Sequence, residues 1–140
     1  MPDKDIAGLH AVGLVPSTRK DCWANARYFY SEIPTIHIYS IPDKLQYRLP
    51  SRTKRSDIEL GLAIELQFGM TIETQGSRHI CAWSACNLRE FILAHVLTHE
   101  IGHHIYHSQR RVQGINYRPN TQESEQFAEA YAVRCRRNRS

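Results

Sequence analysis

A chain of 140 residues has the length of one domain, and a hydrophobic content of 41% suffices for a core without disulfide staples. No apolar run approaches the roughly 18 residues of a membrane span, and Met1-Pro2-Asp3-Lys4-Asp5 has no basic lead into a long apolar segment. Neither a transmembrane helix nor a secretory signal is therefore expected. The net charge of +4 gathers in Arg48, Arg52, Lys54 and Arg55 and again in Arg134, Arg136, Arg137 and Arg139; such runs admit nucleic acid as a partner, but no recognition motif accompanies them.

Residues 1–16 read as a weakly ordered start with a short apolar turn from Ile6 to Val15, closed by Pro16. Ser17 or Thr18 then caps a helix reaching about Ser31, with Asp21 in its first turn and Trp23, Ala26, Arg27 and Tyr30 on one face. Thr35 to Ile41 alternates as a strand, Pro42-Asp43 turns the chain, and Leu45 to Leu49 forms a second strand before the basic loop 50–56.

From Ile58 to Ile72 apolar residues recur at alternate positions. This period of two favours a strand over the helix hinted at by Ser56-Asp57-Ile58-Glu59, with a bend, bulge or partial helix near Gly61 or Gly69. Gln75-Gly76-Ser77 is a turn into a short strand, His79 to Trp83, and Asn87 begins a long helix. A polar connection from Ser108 to Thr121 leads to a closing helix, Gln122 to Arg136. The expectation is a single α+β domain over residues 1–140, with 1–16 and 136–140 flexible. Cys22, Cys81, Cys86 and Cys135 show no C-x-x-C spacing and are expected as reduced thiols of a cytoplasmic protein.

Chemistry concentrates in the long helix, at His99-Glu100-Ile101-Gly102-His103, an H-E-x-x-H motif. Two histidines four apart share a helix face, about 6 Å apart along the axis, so both imidazoles can reach one zinc ion. The glutamate between them can take a proton from a zinc-activated water, the nucleophile that amide hydrolysis needs at neutral pH. Burying such a cluster unpaired would be costly, which argues against a chance match. Gly102 costs about 1 kcal/mol against Ala in a helix, and close approach of another segment is the expected compensation. His95 and His103 stand about 12 Å apart along the axis and cannot share an ion. His95 and His107 are therefore expected to pack or to support the ligands, and His104 to be exposed.

A catalytic zinc site has three protein ligands and an open position. Beyond His107 there is no histidine and beyond Asp57 no aspartate, so the third ligand falls to Glu123, Glu125 or Glu129 on the closing helix. The longer metzincin pattern is absent, with Tyr106 and Gln109 where it needs Gly and His.

Glu125-Gln126-Phe127-Ala128-Glu129-Ala130-Tyr131-Ala132 resembles the E-x-F-A-E-A-[FY] segment of lethal-factor-type zinc peptidases, and the compact H-E-x-G-H with a nearby glutamate helix is similar to ImmA/IrrE-type metallopeptidases. Both belong to the glutamate-zincins, and the resemblance covers residues 91–132. It implies a minimal zincin-like fold, a small mixed sheet packed on the H-E-x-x-H helix and a C-terminal helix carrying the third ligand. It implies His99, His103 and Glu125 as zinc ligands, Glu100 as general base and Glu129 as hydrogen-bond acceptor to a liganding imidazole. The tyrosine of the lethal-factor pattern falls at Arg118, with Tyr117 beside it as the candidate oxyanion donor. Helix geometry agrees on the glutamates: Glu125 and Glu129 share a face with Ala128 and Ala132, and Glu123 is turned about 160° away from Glu125.

The expected function is a zinc-dependent endopeptidase acting on a protein or peptide laid along an edge strand. The alternative is a non-catalytic module of the same fold that binds partners or nucleic acid without turnover.

Overall fold

The computed structural model describes residues 3–15, 26–29, 33–40, 44–49, 52–115 and 121–139. The chain divides into two compact units, Met1–Ser40 with Ile92–Ser140, and Ile41–Phe91. Both are mixed α+β.

In the first unit, a 3-10 turn (Asp3–Ile6) precedes a three-stranded sheet of β1 (Ala11–Val15), β2 (Ala26–Phe29) and β3 (Thr35–Tyr39). β3 lies in the middle, parallel to β1 and antiparallel to β2, with Tyr28 opposite Ile36 and Ala26 opposite Ile38. Two expectations change here. The apolar start orders as an outer strand, because β3 offers its ladder to residues 11–15. The helix expected up to Ser31 is contradicted at 26–29, which are extended; residues 16–25 and 30–32 lie outside the described residues. Pairing with β3 buries the Tyr28 side chain and leaves Arg27 and Phe29 on the other face, an alternation that a helix would not produce.

Helices complete this unit. A π-helical segment (Ile92–Val96) leads into α4 (Leu97–Val112), and α5 (Gln122–Arg137) returns against it. Tyr28, Ile36 and Ile38 of the sheet pack with Ile101 of α4 and Tyr131 of α5. Each such side chain contributes about 1.5–3 kcal/mol when fully buried. α4 runs five residues, Ser108 to Val112, into the expected polar connection, and α5 carries the basic tail in helical form through Arg137.

The second unit holds β4 (Gln46–Leu49), α1 (Arg55–Gly61), α2 (Ala63–Gln67), β5 (Thr71–Gln75), β6 (Arg78–Ala82) and α3 (Ala85–Phe91). β6 is central and antiparallel to both neighbours, and the β5–β6 hairpin turns at Gly76, whose φ of 61° favours glycine. The strand expected from Ile58 is instead two short helices. Ile58, Leu62 and Leu66 recur at the helical spacing of four and pack on Leu49, Met70 and Cys81, while Leu60, which belonged only to the period of two, is 83% exposed. Ser84 caps α3 by accepting from the Asn87 N–H at 3.1 Å, so the helix starts two residues earlier than Asn87. Cys81, Cys86 and Cys135 are free thiols, and no helix of the described residues is long and apolar enough to cross a membrane.

Candidate metal centre

α4 presents His99 and His103 on one face, their rings 4.9 Å apart between centroids. What faces them is decided at Gly102. A Cβ built there would lie 2.7 Å from the Cα of Ala128 and 3.1 Å from its carbonyl oxygen, so only glycine lets α5 come this near. Ala128 itself is fully buried, with no side chain beyond Cβ to hold the helices apart. The Thr121 hydroxyl caps α5 by accepting from the Ser124 N–H at 3.2 Å, and Glu125 follows in the first turn.

The contact brings Glu125 onto both histidines: its Oε2 lies 3.2 Å from His99 Nε2 and its Oε1 lies 3.3 Å from His103 Nε2. One turn further on, Glu129 Oε2 lies 3.3 Å from His99 Nδ1. Glu123 faces away and pairs with Arg110. Tyr117 lies outside the described residues.

Zinc fits this donor set. Ligand atoms of His99, His103 and Glu125 all lie within 4.8 Å of one another. Neighbouring ligands of a tetrahedral ion with ~2.0–2.1 Å bonds stand about 3.3 Å apart, the spacing these nitrogens already keep from the carboxylate. Burial holds the His103 imidazole below its ordinary pKa, partly offset by Glu125, and so favours the neutral form that binds metal.

Glu100 is only 9% exposed, and its environment defines its chemistry. Burial pushes its carboxyl up to about 7, against the pull of His99, the backbone N–H of Tyr28, which donates to it, and Arg27. A carboxyl balanced near neutrality can both accept and return a proton.

Tyr28, not singled out from the sequence, serves the helix twice. Besides the N–H that orients Glu100, its hydroxyl sits between two histidines on the back of α4. His104 Nε2 lies 2.8 Å from the Ala7 carbonyl and must donate to it, so its Nδ1 accepts from the Tyr28 hydroxyl at 3.1 Å. The phenol oxygen in turn accepts from His107 Nδ1–H at 2.9 Å. His104, expected to be exposed, is 2% exposed; two long-range partners satisfy its ring, and helix periodicity carries no record of them. His95 is buried as expected, with its Nε2 at 3.6 Å from Glu129 Oε2. The only sequence sign of Tyr28's place was the β propensity of Tyr28-Phe29, weak beside the helical pattern around it.

No protein-family model, curated protein or solved structure matches the chain.

Proposed function

We propose that this chain is a zinc-dependent endopeptidase of the glutamate-zincin type. The observation that carries the reading is the convergence of His99 Nε2 and His103 Nε2 on the Glu125 carboxylate, with buried Glu100 on the same helix. A three-stranded sheet packed on the H-E-x-x-H helix, with the third ligand on the helix that follows, supports a minimal zincin-like fold.

His99, His103 and Glu125 would hold the ion, which when bound supplies a Lewis acid that polarises the scissile carbonyl and makes water acidic. The remaining work belongs to the chain. Glu100, held by the Tyr28 N–H, accepts the proton of the attacking water and passes it to the leaving amine nitrogen. Glu129 lies beside His99 on its Nδ1 side, and Nε2 faces Glu125. β2 is the edge strand whose backbone reaches Glu100, and an extended peptide pairing along it would pass close to that carboxylate. Free thiols at Cys81, Cys86 and Cys135 suit a cytoplasmic peptidase.

The test is incubation of the purified protein with a diverse peptide library, with and without chelator, and mapping of the cuts. Cleavage is expected in the zinc-loaded wild type, lost on chelation and lost in Glu100→Gln, which keeps its zinc. A zinc-loaded wild type that cuts nothing would replace the peptidase by a binding module of the same fold. Cleavage that survives in Glu100→Gln would remove Glu100 from its role.

A further inference from the structure

His95 takes no part in the trio of His99, His103 and Glu125, yet it belongs to a second cluster with the same kind of donors. Ligand atoms of His95, His99 and Glu129 also lie within 4.8 Å of one another. Glu129 Oε2 stands between two rings, 3.3 Å from His99 Nδ1 and 3.6 Å from His95 Nε2. Both separations exceed the 2.7–3.2 Å that is usual for N–H···O bonds. His99 Nδ1 is buried and makes no hydrogen bond, although a carboxylate oxygen is its neighbour. A buried ring nitrogen aimed at a carboxylate without bonding it is costly in a metal-free packing. An ion with bonds of ~2.0–2.1 Å spreads its ligands about 3.3 Å apart, which turns the same spacing into a bonded one.

The backbone contributes as well. The helix is π-wound over Ile92–Val96, the turn that carries His95, and resumes as α-helix just before His99. Such turns recur at functional sites because the extra residue re-aims a side chain relative to those that follow. Here His95 is 8% exposed and directed at Glu129 of α5.

We propose that His95, His99 and Glu129 form a second divalent-cation site, which shares the His99 imidazole with the first. Nε2 of that ring faces Glu125 and the first position; Nδ1 faces Glu129 and the second. Two imidazoles and a carboxylate suit zinc, copper(II) or nickel better than magnesium or calcium. With both positions filled the His99 ring is a bridge, and the proton on its second nitrogen is released to solvent as the second ion binds. The second ion is therefore the weaker of the two and is lost first as pH falls. The inference depends on the proposed peptidase centre only through the shared His99.

The experiment is a zinc titration of the chelator-stripped full chain against a competing indicator, at neutral pH and at about pH 6. The wild type is expected to take up about two equivalents at neutral pH, the weaker one failing first at the lower pH. His95→Gln, which preserves volume, should retain only the tighter equivalent. Glu129→Gln should do the same, and it decides the matter if His95→Gln does not fold by circular dichroism. A wild type that saturates at one equivalent, or a second equivalent that persists in both variants, overturns the proposal. Glu125→Ala separates the two centres. If it loses the tighter ion while the wild type never took a second, the first centre stands and this one falls. If it loses nothing while His95→Gln loses an ion, the second position stands and the first falls.

Discussion

Replacing Gly102 by alanine tests the link between packing and the metal centre with a single methyl group. The added Cβ would meet Ala128 at 2.7 Å from Cα, 3.1 Å from the carbonyl oxygen and 3.2 Å from Cβ. Carbon atoms rest at about 3.5–4.0 Å, so α5 must retreat by roughly 1 Å, because the obstacle is backbone and has no rotamer to change. Overpacking of this kind costs about 1–3 kcal/mol, while Gly→Ala in a helix returns about 1 kcal/mol, so the chelated variant should lose about 0–2 kcal/mol in urea unfolding. Zinc binding should suffer more. Ala128 lies between Glu125 and Glu129 on the same helix, and metal–ligand distances tolerate only about 0.2 Å, so the retreat carries both carboxylates off their places. A loss of zinc affinity of at least about tenfold, equivalent to ~1.4 kcal/mol, is expected from competition titration of the folded variant. A Gly102→Ala protein that binds zinc like wild type and gains about 1 kcal/mol, as an uncrowded helical glycine would, refutes the reasoning.

Glu100→Gln should change the pH dependence of stability in chelated protein. The folded carboxyl titrates at about 7 against an ordinary 4.5, so the folded state binds the extra proton between these values, and stability present below 4.5 is lost as pH rises through about 7. That gap is worth about 3 kcal/mol, so urea unfolding should find the variant level with wild type near pH 4 and ahead by about that much near pH 8; a difference independent of pH would contradict it. Among the glutamates, Glu125→Ala should lose most of the affinity for the tightly held zinc, Glu129→Ala about 10–100-fold and Glu123→Ala little, and titration of the three would expose a wrong assignment if Glu123→Ala were the variant that failed. Tyr28→Phe should cost about 1–3 kcal/mol in urea unfolding by stranding the ring nitrogens of His104 and His107, yet leave zinc affinity near wild type, since the bond to Glu100 comes from the backbone.

Much of the candidate centre was legible in the chain because its geometry is local. An α-helix puts residues four apart on one face whatever surrounds it, so His99 and His103 had to be neighbours once the helix formed, and Glu125 and Glu129 likewise. The closing helix begins at Gln122 as expected, and the structure adds the Thr121 hydroxyl as its cap. Gly102 announced a close approach through its cost in a helix, but the identity of the approaching segment, Ala128 of α5, is a tertiary fact.

Where partners lie far apart along the chain, local pattern misled. Residues 26–29 extend because β3 offers them a ladder, and Tyr28 then meets His104 and His107 across separations of 76 and 79 residues. His104 is buried because the Ala7 carbonyl and the Tyr28 hydroxyl satisfy its ring, and neither is foreseeable from helix periodicity. Between Ile58 and Leu66 the apolar residues fit a period of two better, yet Ile58, Leu62 and Leu66 also keep a spacing of four, and the packing surface of Leu49, Met70 and Cys81 selected the helix. His95 shows the division most clearly: the sequence set it one turn before His99, while the π-wound turn and the position of α5 aimed it at Glu129. Spacing along a helix follows from backbone hydrogen bonds that every sequence shares, whereas what a side chain faces depends on which distant surfaces can be buried together.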